Sequence, residues 1–126
     1  MKVLIAALIL LIIIGLFMGI HGYVITRLAS DLNASCDAAE ECLRTKDWQG
    51  VSRELNNSLK QWKNHKFWAS LTVSTGDIDK IESSLRRSIA FSKLQAEPDF
   101  IGEFITFRIL IDYISQKEGV CLNEIL

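Results

Sequence analysis

Hydrophobic positions along the chain change their spacing once. From Val3 to Ile20 they are continuous: eighteen residues without a charge, in which Gly15 and Gly19 are the only non-hydrophobic members. Beyond Leu28 they recur every third or fourth residue, the period of a helix with one buried face. The continuous run predicts a membrane-spanning helix. At 1.5 Å of rise per residue it covers roughly 27 Å of a roughly 30 Å hydrocarbon layer, and His21 to Ile25 complete the crossing.

The periodic part divides into four helices. Leu28, Leu32, Cys36, Ala39 and Leu43 form the stripe of the first, which continues out of the membrane segment. Asp47 is placed to cap the second, whose stripe is Trp48, Val51, Leu55, Leu59 and Trp62, extending toward Leu71. Ser74 and Asp77 make an S-x-x-D capping signature for the third, with Ile78, Ile81, Leu85 and Ile89 inward and Gly76 as the turning residue. Pro98 suits the first turn of the fourth, where its missing N–H costs nothing, and Gly119 suits the far end. Phe100, Phe104, Phe107, Ile111 and Ile114 form its stripe. Ile101, Ile105, Ile109 and Leu110 add apolar residues nearly all round, which predicts that this helix is the most buried. The expected fold is therefore all-α, a transmembrane anchor over residues 1–25 followed by an antiparallel, up-down bundle of about four helices over residues 26–126.

The apolar run reads as a retained anchor. Signal-peptide cores are shorter, about 7 to 15 residues, and end at small residues, whereas bulky or charged residues surround Gly22 and Ala29 here. Cys36 lies too far past the span for a lipoprotein cysteine, and Tyr23 suits the headgroup level. Lys2 and the terminal amine on one flank, against Arg27 with nearby Asp31 on the other, favour a cytoplasmic N-terminus and a bundle outside the cytoplasm.

Antiparallel folding has a consequence for function. The first helix carries the chain about 30 Å from the bilayer and the second brings it back. The end that returns reads Lys60, Gln61, Trp62, Lys63, Asn64, His65, Lys66, Phe67, Trp68, the densest basic and aromatic cluster in the sequence. Lys60, Lys63, Lys66, Phe67 and Trp68 are thus the candidate contacts to membrane lipid or to a partner, each lysine contributing about 1 kcal/mol near an anionic surface. The plainer account is a solvated lysine face over a core stripe that contains Trp62.

Other chemistry finds little support. Apart from Lys2 the chain has 13 basic and 15 acidic side chains, a balance that does not suit nucleic-acid binding. Cys36 and Cys42 are six apart and point in different directions on a helix, so neither a C-x-x-C redox pair nor a metal site is indicated. Cys121 leaves a bridge to either of them open, with one thiol over. Asp79 and Glu82 share a helix face with Asp77 just before them, a group that could hold a divalent cation, but acidic residues in a first turn stabilise the helix dipole, which accounts for Asp77 and Asp79 without any ion. Bundle metal sites use Glu-x-x-His, which is absent. His21 and His65 stand in no nucleophile-and-orienter pattern, and no G-x-S-x-G, Walker loop or H-E-x-x-H occurs. Arg108 and Asp112 are an i, i+4 pair that reads as a buried structural ion pair, with a partner-binding polar spot as the alternative. The sequons at Asn33 and Asn56 fall on expected helices. No enzyme and no cofactor is expected.

Asp47-Trp48 at a helix start, Trp62 and Trp68 near its end, the stretch Asp77-Ile78-Asp79-Lys80-Ile81-Glu82 with Leu85, and the terminal Leu122 to Leu126 occur together behind an apolar N-terminus. In this order of features the chain resembles a bacterial family of small single-pass membrane proteins, the domain-of-unknown-function family numbered four three six three, over nearly its whole length. Family members often carry a histidine just before the acidic stretch, where this chain has Val73, Ser74, Thr75 and Gly76. That departure argues against a His-carboxylate metal site. The resemblance implies a bacterial envelope protein working beside another membrane protein, and no activity. The resulting expectation is a membrane-anchored interaction or scaffold module, with a lipid- or ligand-sensing domain using Lys60 to Trp68 as the runner-up and an enzyme third.

Overall fold

In a computed structural model, which describes the backbone of residues 1–71 and 73–125 and the side chains of 1–71 and 73–115, the described residues are helical except at three short connections. Helix α1 spans Lys2–Arg44, α2 Trp48–Ser70, α3 Thr75–Lys93 and α4 Glu97–Ile125. The first is one unbroken rod. No proline interrupts it, and its buried residues begin at His21 and Gly22 and continue through Ile25, Leu28, Leu32, Cys36 and Ala39. The helices form a closed square in which α1 packs on α2, α2 on α3, α3 on α4 and α4 on α1, and across one diagonal Trp48 of α2 meets Phe100 of α4 edge-on, ring centroids 5.7 Å apart. Every neighbour runs antiparallel, as the short connections require. Cys42 near the end of α1 meets Gly50 near the start of α2, while Phe17 and His21 lower on α1 meet Trp68 near the end of α2.

Local signals set the helix boundaries. Asp47 accepts from the N–H of Gly50 at 3.0 Å and Ser74 from that of Asp77 at 3.2 Å, each satisfying one of the orphan donors of a first turn. Pro98 is the second residue of α4, still within the turn where its N–H has no helical acceptor. The other end of two helices uses a device that glycine usually supplies. Lys46 (φ 59°) and Gln95 (φ 56°) adopt left-handed backbone just after α1 and α3. Around them the N–H of Asp47 bonds Cys42 O and that of Ala96 bonds Phe91 O, with Lys46 to Leu43 and Gln95 to Ser92 inside, a Schellman closure in both places. Gly76, the expected turning residue, instead lies in the first turn of α3 without positive φ, because Ser74 has already started the helix. Similarly, α4 continues past Gly119 to Ile125, so that glycine does not end it.

The core follows the expected stripes except at the end of α2, where Leu71, expected to extend that stripe, is 43% exposed. Trp62, Phe100, Phe107, Ile25, Leu32, Leu55, Ile81 and Leu85 are its largest fully buried side chains, each contributing about 1.5–3 kcal/mol by leaving water. Ser58, Ser84, Ser88 and Ser92 are buried among them, small enough to let α2 and α3 approach. The hydroxyls of Ser58, Ser88 and Ser92 donate to carbonyls of their own helices, and Ser52 and Ser92 meet across the seam at 2.7 Å. One expectation fails: α4 is not the most buried helix. Ile101, Ile105 and Ile109 are 38, 51 and 62% exposed. In a square of four each helix has a face turned away from the core, and among the described residues no fifth element covers that of α4.

Candidate functional site

The α2 cluster is dispersed over three directions. Lys60, Lys63 and Phe67 share the outward face, with Phe67 68% exposed, and Leu71 follows one turn later. Lys66 turns toward α3, where its Nζ lies 3.5 Å from Glu82, a carboxylate that also faces Arg86. Trp68 turns toward α1, its ring 5.8 Å from that of Phe17 and 6.2 Å from that of His21. The Nε2–H of His21 donates to Trp68 O at 2.6 Å. The C-terminal end of α2 is therefore fastened to the last turns of the apolar N-terminal run. Of the five candidate residues, three project freely outward and two serve to join helices.

That run is the one stretch among the described residues long and apolar enough to cross a membrane, and none of its most apolar eighteen residues is buried. Gly15 and Gly19 within it are open, with nothing within 4 Å of where a Cβ would stand. Four residues apart in an apolar helix, they form a G-x-x-x-G pair, a signal available in the residues alone and passed over in the reading of the run as a plain anchor.

A second cluster lies where α1 and α4 meet. Arg108 donates to Asp37 at 2.8 Å and lies 3.3 Å from Glu40, with its guanidinium 5.9 Å above the ring of Phe104. Its partners are on α1, and the expected pairing with Asp112 is not made; Asp112 is exposed. Reaching across the seam lets one guanidinium serve two carboxylates, which an i, i+4 contact on its own helix could not do. Burial alone would lower the Arg108 pKa, and the hydrogen bond to Asp37 with the neighbouring charges outweighs it, so the net movement is upward. Cys36, just inside the seam, has no exposed surface, and burial pushes its thiol up to about 12 against the pull of Arg108. Such a thiol stays protonated and inert. Cys36 and Cys42 are free, while the Cys121 side chain lies outside the described residues, as do those of the Leu122 to Leu126 motif.

Three concave sites among the described residues are shallow or tiny. A cleft of about 10 Å³ among Ile25, Leu28, Trp62, Ala69, Ile111 and Ile114 has room for one water. Two open grooves of about 370 and 290 Å³ run along the α2–α3 seam beside Ser52 and Ser92 and beside Leu59 and Arg86. No group of three metal-ligating side chains occurs among the described residues. Asp77 and Asp79 lie in the first turns of α3, and Glu82 is engaged by Lys66 and Arg86. The Nδ1 of His65 is 3.0 Å from Gln61 O on its own helix. The chemically distinctive features are therefore surfaces: the uncovered isoleucines of α4 and the outward face at the end of α2.

No curated protein and no solved structure matches the chain significantly. A family model matches residues 20–125, from the end of the apolar run onward, and by that match the chain belongs to DUF4363, a domain of unknown function.

Proposed function

We propose that the chain is a single-pass protein of the bacterial cell membrane, N-terminus in the cytoplasm and bundle outside, that works by binding a protein partner through the outward face of α4 and is not an enzyme. The observation that carries this reading is the row Ile101, Ile105, Ile109, spaced by four and left uncovered after the core is complete. By contrast, the outward face of α2 carries Arg53, Asn56, Asn57, Lys60 and Lys63, with apolar Phe67 and Leu71 only at its end. Apolar side chains concentrated on one helix face mark a binding surface more than scattered ones do. The open N-terminal run supports the tether, and the charge bias of Lys2 supports the orientation. A photo-crosslinking amino acid replacing Ile105 in the full chain, in native membranes, tests the reading. A protein adduct is expected from position 105 and not from position 57. Equal yields at the two positions, or none at 105, overturn it. A reporter fused after Leu126 checks the topology: an active phosphatase is expected, and a bright cytoplasmic fluorescent protein overturns that orientation.

A second reading, contact with anionic lipid, is favoured by the attachment of Trp68 to Phe17 and His21. In a membrane-tethered chain this holds Phe67 and Leu71 at headgroup depth, with Lys60 and Lys63 just above.

A further inference from the structure

Resting on the interaction reading above, we infer that the occupant of the α4 face is a second copy of this chain, paired about a two-fold axis along the membrane normal. The pairing makes contact at two levels: Gly15 and Gly19 within the bilayer, Ile101 and Ile105 at the far end of the bundle.

The two sets of residues lie on one flank of the molecule. Asp37 marks the α1 face beside α4, because Arg108 reaches it across the seam. Gly19 stands eighteen residues before Asp37, about five full turns, and Gly15 a further turn below, so both glycines lie in line beneath it on an unbroken helix. On α4, Ile101 and Ile105 lie seven and three residues before Arg108 and share its side of the helix. The flank thus carries an open G-x-x-x-G pair at its membrane end and uncovered isoleucines at its other end, about 40 Å higher along α1.

Symmetry argues for self-pairing over a different partner. A G-x-x-x-G pair packs helix backbones closely against a like face, and in lipid this close packing, not hydrophobicity, drives association. Two tethered copies share one orientation, so only parallel arrangements are available to them. A two-fold axis beside this flank then brings each glycine pair to its mate and each isoleucine row to its mate. Contact at one level raises the effective concentration at the other, which lets two small surfaces act as one interface.

The test uses two differently tagged full-length copies expressed together, with the photo-crosslinking residue at position 105. An adduct carrying both tags is expected. Gly15→Ile with Gly19→Ile should reduce its yield about tenfold or more, with thermal unfolding of the bundle unchanged because both positions are open. A 105 adduct with a protein that carries neither tag overturns self-pairing and leaves the interaction face standing, whereas absence of any adduct overturns both. A two-tag adduct undiminished in the glycine variant overturns the two-level arrangement.

Discussion

Arg108 on α4 donates to Asp37 on α1 at 2.8 Å, and Glu40 one turn further along α1 shares the same guanidinium. Both carboxylates are well exposed, so each ion pair contributes no more than about 1 kcal/mol, and the stacking on Phe104 adds a similar amount. Arg108→Ala is therefore expected to lower bundle stability by about 1–2 kcal/mol. Asp112→Asn should leave it within about 0.5 kcal/mol. Chemical denaturation of the full chain in detergent compares the two. A larger loss for Asp112→Asn would mean that the pairing runs along α4 after all.

The same glycine-to-alanine change is expected to have opposite signs at two helical positions. Gly102 is open, so alanine there gains helix propensity and raises stability by about 0.5–1 kcal/mol. A Cβ at Gly50 would overlap Asp47 Oδ2 and stand 2.7 Å from Cys42 Sγ. Making room displaces the carboxylate that caps α2, which offsets the propensity gain and costs about 1 kcal/mol beyond it. Thermal unfolding of the two variants beside wild type reads the signs. A stabilised Gly50→Ala would show that the cap does not depend on the missing side chain.

Which parts of this molecule were legible beforehand follows from the range of the interactions. Asp47 and Ser74 act three residues away, so their caps could be read directly, and the stripes of α1 to α3 follow from periodicity alone. Periodicity cannot say whether a neighbour exists for a second apolar face, and Ile105 on α4 was misjudged for that reason. Nor can local spacing rank Asp112 against Asp37, which lies 71 residues from Arg108, or find the His21–Trp68 bond across 47 residues. The α2 cluster was correctly located as a segment. Its division among α1, α3 and solvent depends on helix rotation within the square.

Left-handed backbone at Gln95 gives a third prediction. Its φ of 56° costs a residue with a Cβ about 1–2 kcal/mol relative to right-handed backbone, and the side chain is exposed. Gln95→Gly should raise stability by about 0.5–1 kcal/mol after the extra chain entropy of glycine is subtracted. Lys46→Gly removes the same strain, and also the pair of bonds from Lys46 Nζ to Glu97 at 2.8 and 2.9 Å, so its net change should be smaller. Equal gains at both positions would mean that the Lys46–Glu97 pair contributes nothing.

Burial raises the Cys36 thiol from 9.0 to about 12, the Arg108 charge opposing and Asp37, Glu40 and Asp112 reinforcing the rise. Between those values the folded protein keeps a proton that the unfolded chain has released. The contribution of Cys36 to stability is therefore complete below about pH 9 and declines as pH rises toward 12, by about 1.4 kcal/mol per unit. Cys36→Ala lowers stability at neutral pH by leaving a small void, and removes this slope. Denaturation of wild type and variant at pH 8, 9.5 and 11 should show the difference between them shrinking with pH. A difference that stays constant would mean that Cys36 ionises as freely in the fold as outside it.

Trp68 tests the depth of the whole bundle. Its ring lies against Phe17, inside the apolar run, whereas Trp48 packs on Phe100 beside the turn that ends α1, at the opposite end of the square. With the run in a bilayer, Trp68 sits at the interface and Trp48 roughly 30 Å above it, beyond reach of the acyl chains. In full-length protein reconstituted with brominated lipids, tryptophan fluorescence should be quenched, most of the quenching should disappear in Trp68→Phe, and Trp48→Phe should retain it. Trp62 is fully buried in the core and contributes an unquenched background to every variant. If Trp48→Phe abolished the quenching and Trp68→Phe did not, the end of α2 would lie away from the lipid, and both the depth assigned to Phe67 and Leu71 and the lipid role of Lys60 and Lys63 would fall with it.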